Sequence, residues 1–167
     1  MGPVGHQDSD PGTAGVIVRP PILFGIAVLL GFAADHLLPL PFPISRPGLD
    51  HWISACVAGA MFVIGTTLVA AGIRNFLRAG TPVPTTEPTR ALVTTGIHGR
   101  TRNPIYVGFF LVYVAIGVLV RSPWILILVL PLSLVIRYGV VAREEAYLER
   151  RYGDAYRGYR ARVRRWV

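Results

Sequence analysis

What the chain lacks already excludes several classes of protein. It contains no lysine, so arginine supplies all 17 of its basic residues against nine carboxylates. Its single cysteine, Cys56, cannot form a disulfide within the chain. Glycine-rich dinucleotide or phosphate-binding motifs, His-Glu-x-x-His and paired cysteines are all missing. We therefore expect no Rossmann domain, no P-loop and no metal site.

Long apolar runs are the main feature that is present. At 52% hydrophobic residues and a mean hydropathy of +0.49, the 167-residue chain is too apolar for an ordinary soluble domain. The four runs are Ile22–Leu38, Ile53–Ile73, Ile105–Val120 and Trp124–Ile136. The fourth reaches a spanning length only by continuing to Ala142. We predict an all-α polytopic membrane protein with about four transmembrane helices, in one domain over 19–167.

Two of these assignments have alternatives. The first run follows Arg19 and precedes a small-x-small triplet, so it also fits a secretory signal. The third and fourth runs are short and separated only by 121–123, so they also fit a buried hairpin that does not cross the bilayer.

Arginine placement predicts the orientation. Five arginines lie between the second and third runs, at Arg74, Arg78, Arg90, Arg100 and Arg102, and eight more follow from Arg143 onward. The other two loops hold only Arg46 and Arg121. By the positive-inside rule both arginine-rich parts, both termini and any site between them lie on the cytoplasmic side. We expect the membrane to be the bacterial cytoplasmic membrane.

The remaining segments flank the helices. Residues 1–18 lack hydrophobic periodicity and predict a disordered tail. The proline-rich linker 81–88 cannot be helical and predicts an extended strap. From Glu144 the tail alternates aromatics and arginines at helical spacing, which predicts two short amphipathic helices separated at Gly153. Its charges suit an anionic leaflet, and in a chain dominated by membrane helices we expect no nucleic-acid partner.

Asn103-Pro104 predicts the start of the third helix. Asn is a favoured N-cap, and Pro fits the first helical position because its missing N–H has no partner there. The free N–H groups that follow would attract an anion, and Arg100 and Arg102 add full positive charges. These arginines would equally serve as topology signals at the lipid headgroups.

Glu144 and Glu145 lie where the fourth helix leaves the membrane. Adjacent helical residues point about 100° apart, so one carboxylate can face a ligand while the other pairs with Arg143 or an arginine of the linker. In an antiparallel hairpin this end meets the start of the third helix. We expect a pocket for a zwitterion, with a carboxylate toward Arg102 and an ammonium toward Glu145.

Four motifs carry a resemblance to a known family. They are, in chain order, Leu92-Val93-Thr94-Thr95-Gly96, Arg102-Asn103-Pro104-Ile105-Tyr106, Glu144-Glu145 with Leu148, and Tyr152-Gly153-Asp154-Ala155-Tyr156 with Tyr159. Over about residues 72–165 this set resembles the integral membrane methyltransferases of the isoprenylcysteine carboxyl methyltransferase and phospholipid N-methyltransferase type. The resemblance implies that S-adenosylmethionine is bound by Arg102, Pro104, Tyr106, Glu144 and Glu145. Gly96, His98 and Asn103 are further cofactor-binding candidates, although His98 also fits a polar loop residue.

The catalytic residues stay open. Asn103 stands where the family usually has histidine, and it cannot transfer a proton. An acceptor carboxylate needs no base, whereas an acceptor amine would need one, with Glu145, His98 and Tyr106 as candidates. We expect a lipophilic or lipid-linked acceptor. The alternatives are a membrane sterol-type reductase that uses NADPH, and a non-catalytic adaptor whose basic tail binds lipid.

Overall fold

The computed structural model describes Gly15 and residues 18–42, 49–83 and 87–167. Apart from Gly15 and Val18, the predicted disordered tail 1–18 lies outside this part of the chain, as do Arg46 and residues 84–86 of the linker. Every regular element in the described ranges is helical.

Five α-helices account for the predicted runs. They are α1 (Pro20–Leu37), α2 (Leu49–Arg78), α3 (Pro104–Leu119), α4 (Pro123–Leu134) and α5 (Ala142–Arg162), with a 3-10 turn at Gly96–Gly99. Three helical stretches are long and apolar enough to cross a membrane, and α3 is a shorter apolar helix of 16 residues. The all-α, polytopic membrane fold is confirmed.

The fourth run continues beyond α4, as its length required. A π-helical segment, Val135–Val141, joins α4 to α5 without a break, so that one helical stretch runs from Pro123 to the kink at Gly153. Pro131 lies inside α4 and cannot donate to the carbonyl four residues earlier. The π-helical turns were not predicted, and they matter because a wider turn changes the direction in which the following Glu144 and Glu145 face.

Glycines let α2 and α3 cross closely. A Cβ built on Gly108 would lie 2.5 Å from the backbone oxygen of Gly65, and one on Gly72 would lie 2.5 Å from Ile105. Side chains at these positions would push the helices apart. Close approach of backbones through small residues is how helices associate in a membrane, where burial from water supplies no driving force. The start of α3 is thereby fixed beside the end of α2.

The C-terminal helix divides where the sequence predicted. Gly153 has φ 50° and ψ −123°, which breaks the helical path inside α5. A positive φ is accessible to glycine at little cost because it has no Cβ. The two parts of α5 can therefore fold back so that both Glu145 and Tyr159 reach the start of α3.

Candidate active site at the joined helix ends

A cavity of about 540 Å³ lies where four helix ends meet. Its wall is formed by the start of α1, the end of α2, the start of α3 and the two parts of α5. This volume falls within the range of ordinary small-molecule sites, about 300–1,000 Å³. The antiparallel arrangement of α3 with the fourth helical stretch therefore brings the predicted residues to one place.

Seven of the eight candidate residues line this cavity. They are His98, Arg102, Asn103, Pro104, Tyr106, Glu144 and Glu145. The eighth, Gly96, is not part of the lining and lies against Asn75 in the adjoining turn. Gly96 has φ +58°, and a Cβ there would lie 2.5 Å from the Asn75 amide nitrogen. Gly96 therefore lets the backbone of the 3-10 turn lie close to Asn75.

Glu145 is held by two arginines. Arg165 donates to both of its carboxylate oxygens, from Nε at 3.0 Å and from Nη2 at 2.6 Å, and Arg102 Nη2 lies 3.3 Å from Oε1. The side chains of Arg102 and Glu145 are only 9% and 10% exposed. The forked pairing with Arg165 and the buried contact with Arg102 together fix the Glu145 carboxylate in place. Glu145 thus pairs with Arg102, one of the arginines between the second and third apolar runs, whereas Arg143 donates to the Gly15 carbonyl at 2.9 Å.

Arg102 keeps unused hydrogen-bonding capacity. Its Nε and Nη1 atoms are buried and have no hydrogen-bond partner among the described residues. A buried donor atom without an acceptor costs free energy. A ligand that accepts hydrogen bonds from these two nitrogens would remove that cost. With one carboxylate between Arg102 and Arg165, the group also carries one surplus positive charge. Both observations favour a small anion as its partner.

Glu144 faces a different environment. It has no arginine partner in the described part of the chain, and its Oε1 accepts a hydrogen bond of 2.7 Å from the Tyr106 hydroxyl. Glu144 thus lines the cavity with a carboxylate that no cation neutralises. The sequence analysis placed the ammonium of a ligand at Glu145. The structure pairs Glu145 with two arginines, which favours Glu144 as the carboxylate that faces a cation.

Asn103 begins α3 but does not cap it with its side chain. Its φ of −128° and ψ of 52° place it at the N-cap, and the expected side-chain bond to the first turn is absent. Instead its Nδ2 donates to the Arg165 carbonyl at 3.0 Å, while Arg102 N donates to the Arg164 carbonyl at 2.9 Å. Asn103 is 8% exposed and holds the C-terminal segment on the site. The backbone N–H groups of Ile105 and Tyr106 receive no side-chain cap and stay available.

His98 is held by α2. The Asn75 amide nitrogen lies 2.9 Å from the Thr95 carbonyl and 3.3 Å from His98 Nδ1, and the ring packs edge-on against Phe76. His98 is 4% exposed, and burial lowers its pKa to about 4. The imidazole is therefore neutral at physiological pH and lines the cavity in that form.

Tyrosines of α5 fasten the linker over the cavity. The Tyr147 hydroxyl accepts from Thr89 N at 3.2 Å, and the Tyr152 hydroxyl donates to Thr89 Oγ1 at 3.1 Å. Tyr159 donates to the His98 carbonyl at 2.7 Å. The linker is non-helical at 81–83 and 87–90, in agreement with its prolines.

The sequence did not predict that three further residues contribute to the site. Arg165, Asn75 and Arg19 lie far apart in the sequence and belong to no motif. Arg165 stands among several tail arginines, and no local pattern distinguishes it from them. Asn75 offered a weak signal, since it is a polar residue directly after the apolar second run.

Comparison with known proteins identifies the family. A family model described as phospholipid methyltransferase matches residues 53–155, which is more than half of the chain. A Haemophilus influenzae protein described as uncharacterized is 56% identical over 34 residues, or 20% of this chain, and the chain spans about half, 54%, of the length of that relative. No solved structure matches the chain. The chain therefore belongs to the phospholipid methyltransferase family of membrane methyltransferases.

Proposed function

We propose that the protein transfers a methyl group from S-adenosylmethionine to a lipophilic acceptor, and that the cavity at the joined helix ends is its active site. The observation that carries the proposal is that one cavity holds a buried guanidinium with unused donor atoms and a carboxyl group that faces no arginine among the described residues. Within the part of the chain that the structure describes, Arg102 has two buried donor nitrogens without partners, and Glu144 has a carboxyl group without a cationic partner.

These residues fit the cofactor. Its amino acid end is a zwitterion, and a carboxylate would receive hydrogen bonds from Arg102 and from the uncapped N–H groups at the start of α3. Glu144 would attract the cationic part. The cavity volume of about 540 Å³ also suits a molecule with a nucleoside.

When bound, S-adenosylmethionine supplies a methyl group on a sulfonium, which an acceptor nucleophile takes by in-line displacement. The chain contributes mainly by positioning and by excluding water, because aligned reactants at short distance account for much of the barrier reduction. Arg102, held by Glu145, fixes one end of the cavity. Tyr106 fixes the Glu144 carboxylate through its 2.7 Å hydrogen bond.

The need for a base depends on the acceptor. An acceptor carboxylate reacts directly, whereas an ammonium must first lose a proton. Glu145 is poorly suited as that base because both oxygens are bonded to arginines. Glu144 is the better candidate, since its carboxylate faces the cavity without a cationic partner.

The acceptor would enter from the bilayer. The start of α1, at Pro21 and Ile22, and Phe109 of α3 give the cavity an apolar side. A lipid-linked acceptor can approach on this side while the cofactor enters from water beneath the linker. We place the site and both termini on the cytoplasmic face because the arginine-rich segments adjoin it.

A methyl-transfer assay tests this function. Detergent-purified protein would be given S-adenosylmethionine with a labelled methyl group and either phosphatidylethanolamine vesicles or a farnesylated cysteine. We expect label in the lipid phase with one of these acceptors. Glu144→Gln should lower the rate at least tenfold, whereas Glu149→Gln, a carboxylate of the same helix that pairs with Arg160, should not.

Two results would contradict the proposal. One is equal activity of the Glu144→Gln and wild-type proteins, both folded. The other is oxidation of NADPH in the presence of a sterol without any methyl transfer, which would support the reductase alternative.

A further inference from the structure

The end of α2 contributes a residue that acts on the site without lining the cavity. Asn75 lies between the Thr95 carbonyl and the His98 ring, at 2.9 Å and 3.3 Å from its amide nitrogen. Its surroundings decide which way the amide faces. A carbonyl oxygen can only accept, so the NH₂ group must point toward Thr95.

That orientation determines the proton position on His98. The same NH₂ group faces Nδ1, and an amide nitrogen can only donate, so Nδ1 must be the accepting nitrogen. A neutral imidazole with an accepting Nδ1 carries its proton on Nε2. No residue in the described part of the chain forms a hydrogen bond with Nε2, while His98 lines the cavity.

We infer that Asn75 is a positioning residue that holds His98 as the neutral tautomer with the proton on Nε2, so that His98 serves the cavity as a hydrogen-bond donor and not as a general base. The inference rests on the proposed function insofar as the cavity is the methyl-transfer site. The inference excludes His98 as the general base, because Nε2 already carries a proton and cannot take one from the acceptor.

The surroundings of the ring agree with a neutral state. Phe76 packs edge-on against it from α2, and Tyr159 of α5 bonds the His98 backbone carbonyl and not the ring. The charged groups on the cavity wall are Arg19, Glu87, Arg102, Glu144 and Glu145. Glu145 is neutralised by its arginines and Glu144 is bonded to Tyr106. Burial lowers the pKa of His98 to about 4.

Nitrogen NMR of histidine-labelled protein in detergent tests the inference without any methyl transfer. The His98 signals are those missing from His98→Gln. In the wild type we expect a protonated Nε2, an unprotonated Nδ1 and no titration above about pH 5. Asn75→Ala should mix the two tautomers. Asn75→Asp should move the proton to Nδ1 and raise the pKa of the ring, because a carboxylate accepts from Nδ1 and favours the charged imidazole.

Measurement of kcat/KM distinguishes a positioning role of Asn75 from a purely structural one. Asn75→Ala should lower kcat/KM by about tenfold, the effect expected for one lost hydrogen bond. His98→Gln, whose amide can still donate, should retain more activity than His98→Phe. Thr67→Ala, an exposed substitution on the same helix, is the control and should match the wild type.

The inference is overturned if wild-type His98 carries its proton on Nδ1, or if Asn75→Ala mixes the tautomers and leaves kcat/KM unchanged. Failure of the proposed function looks different. In that case the wild-type protein transfers no methyl group to either acceptor, and the NMR result alone decides whether Asn75 fixes the tautomer.

Discussion

The two ends of α3 place arginines in opposite surroundings. At the cavity end, Arg102 is buried beside Glu145 and has two donor nitrogens that no described residue pairs with. At the far end, Arg121 is only partly buried, lies 3.2 Å from His51 Nδ1 and stacks over the Phe42 ring. One residue type thus serves two purposes. Arg102 is buried at the cavity and is our proposed binding group, while the partly exposed Arg121 is in our view a local anchor.

The strongest test of this contrast removes the carboxylate that holds the cavity end. Glu145→Gln leaves the buried Arg102 and the partly exposed Arg165 without their counterion, and we expect the free energy of unfolding to fall by about 3 kcal/mol. Glu144→Gln should change it by less than about 1 kcal/mol, since the Tyr106 hydroxyl can still donate to the amide oxygen. Chemical unfolding in detergent measures both. Equal losses would show that Glu145 is not the structural member of the pair.

The next test compares the two arginines themselves. Arg102→Ala should lower kcat/KM by about a hundredfold, because it removes a buried charged donor set facing the cavity. Glu145 keeps its two bonds to Arg165, so the protein should stay folded. Arg121→Ala should alter kcat/KM by less than about threefold, as expected for a surface contact. A similar loss in both variants would remove the distinction between the two ends.

A pH titration compares His98 with His51. The unfolded chain takes up a proton at His98 near its usual pKa of 6.5, whereas the folded chain does so only near 4. The neutral ring therefore contributes stability that is complete above about pH 6.5 and is lost as the pH falls toward 4. Between pH 7 and pH 5 we expect a loss of about 2 kcal/mol. His98→Gln should remove this part of the pH dependence, while His51→Gln should retain it.

We expect the smallest effect on stability and activity for an arginine that lies at neither end of α3. Arg157 pairs with Asp154 in an exposed contact of 2.6 Å one turn apart on α5. Exposed pairs of this kind contribute little because water screens them and the long side chain loses freedom. Arg157→Ala should leave both Tm and methyl transfer unchanged. A clear loss of activity would mean that the tail arginines act on the substrate.

Much of the fold was accessible from the sequence because apolar runs and prolines act locally. Pro20, Pro104 and Pro123 each begin a helix close to a predicted boundary, and Gly153 divides the tail helix. The π-helical segment Val135–Val141 was not foreseen. No residue type requires such a segment, and its position depends on how the whole stretch packs.

The sequence predicted that the site residues lie close together, but not which of them pair with each other. Asn103-Pro104 and Glu144-Glu145 indicated that two helix ends meet, and their residues line one cavity. Which glutamate is paired could not be predicted, because Arg165 reaches Glu145 only when the chain folds back after Gly153. Asn75 was missed for the same reason, since its contact with His98 joins residues 23 positions apart.

The most direct test of the proposed cofactor site is calorimetric titration of the detergent-purified protein with S-adenosylhomocysteine. The same titration would be made on Arg102→Ala and Arg160→Ala, and the wild type would also be titrated with NADPH. We expect binding to the wild type and to Arg160→Ala, a loss of affinity of about a hundredfold in folded Arg102→Ala, and no binding of NADPH. Absence of S-adenosylhomocysteine binding to the folded wild type, or binding that Arg102→Ala leaves unchanged, would contradict the proposed cofactor site.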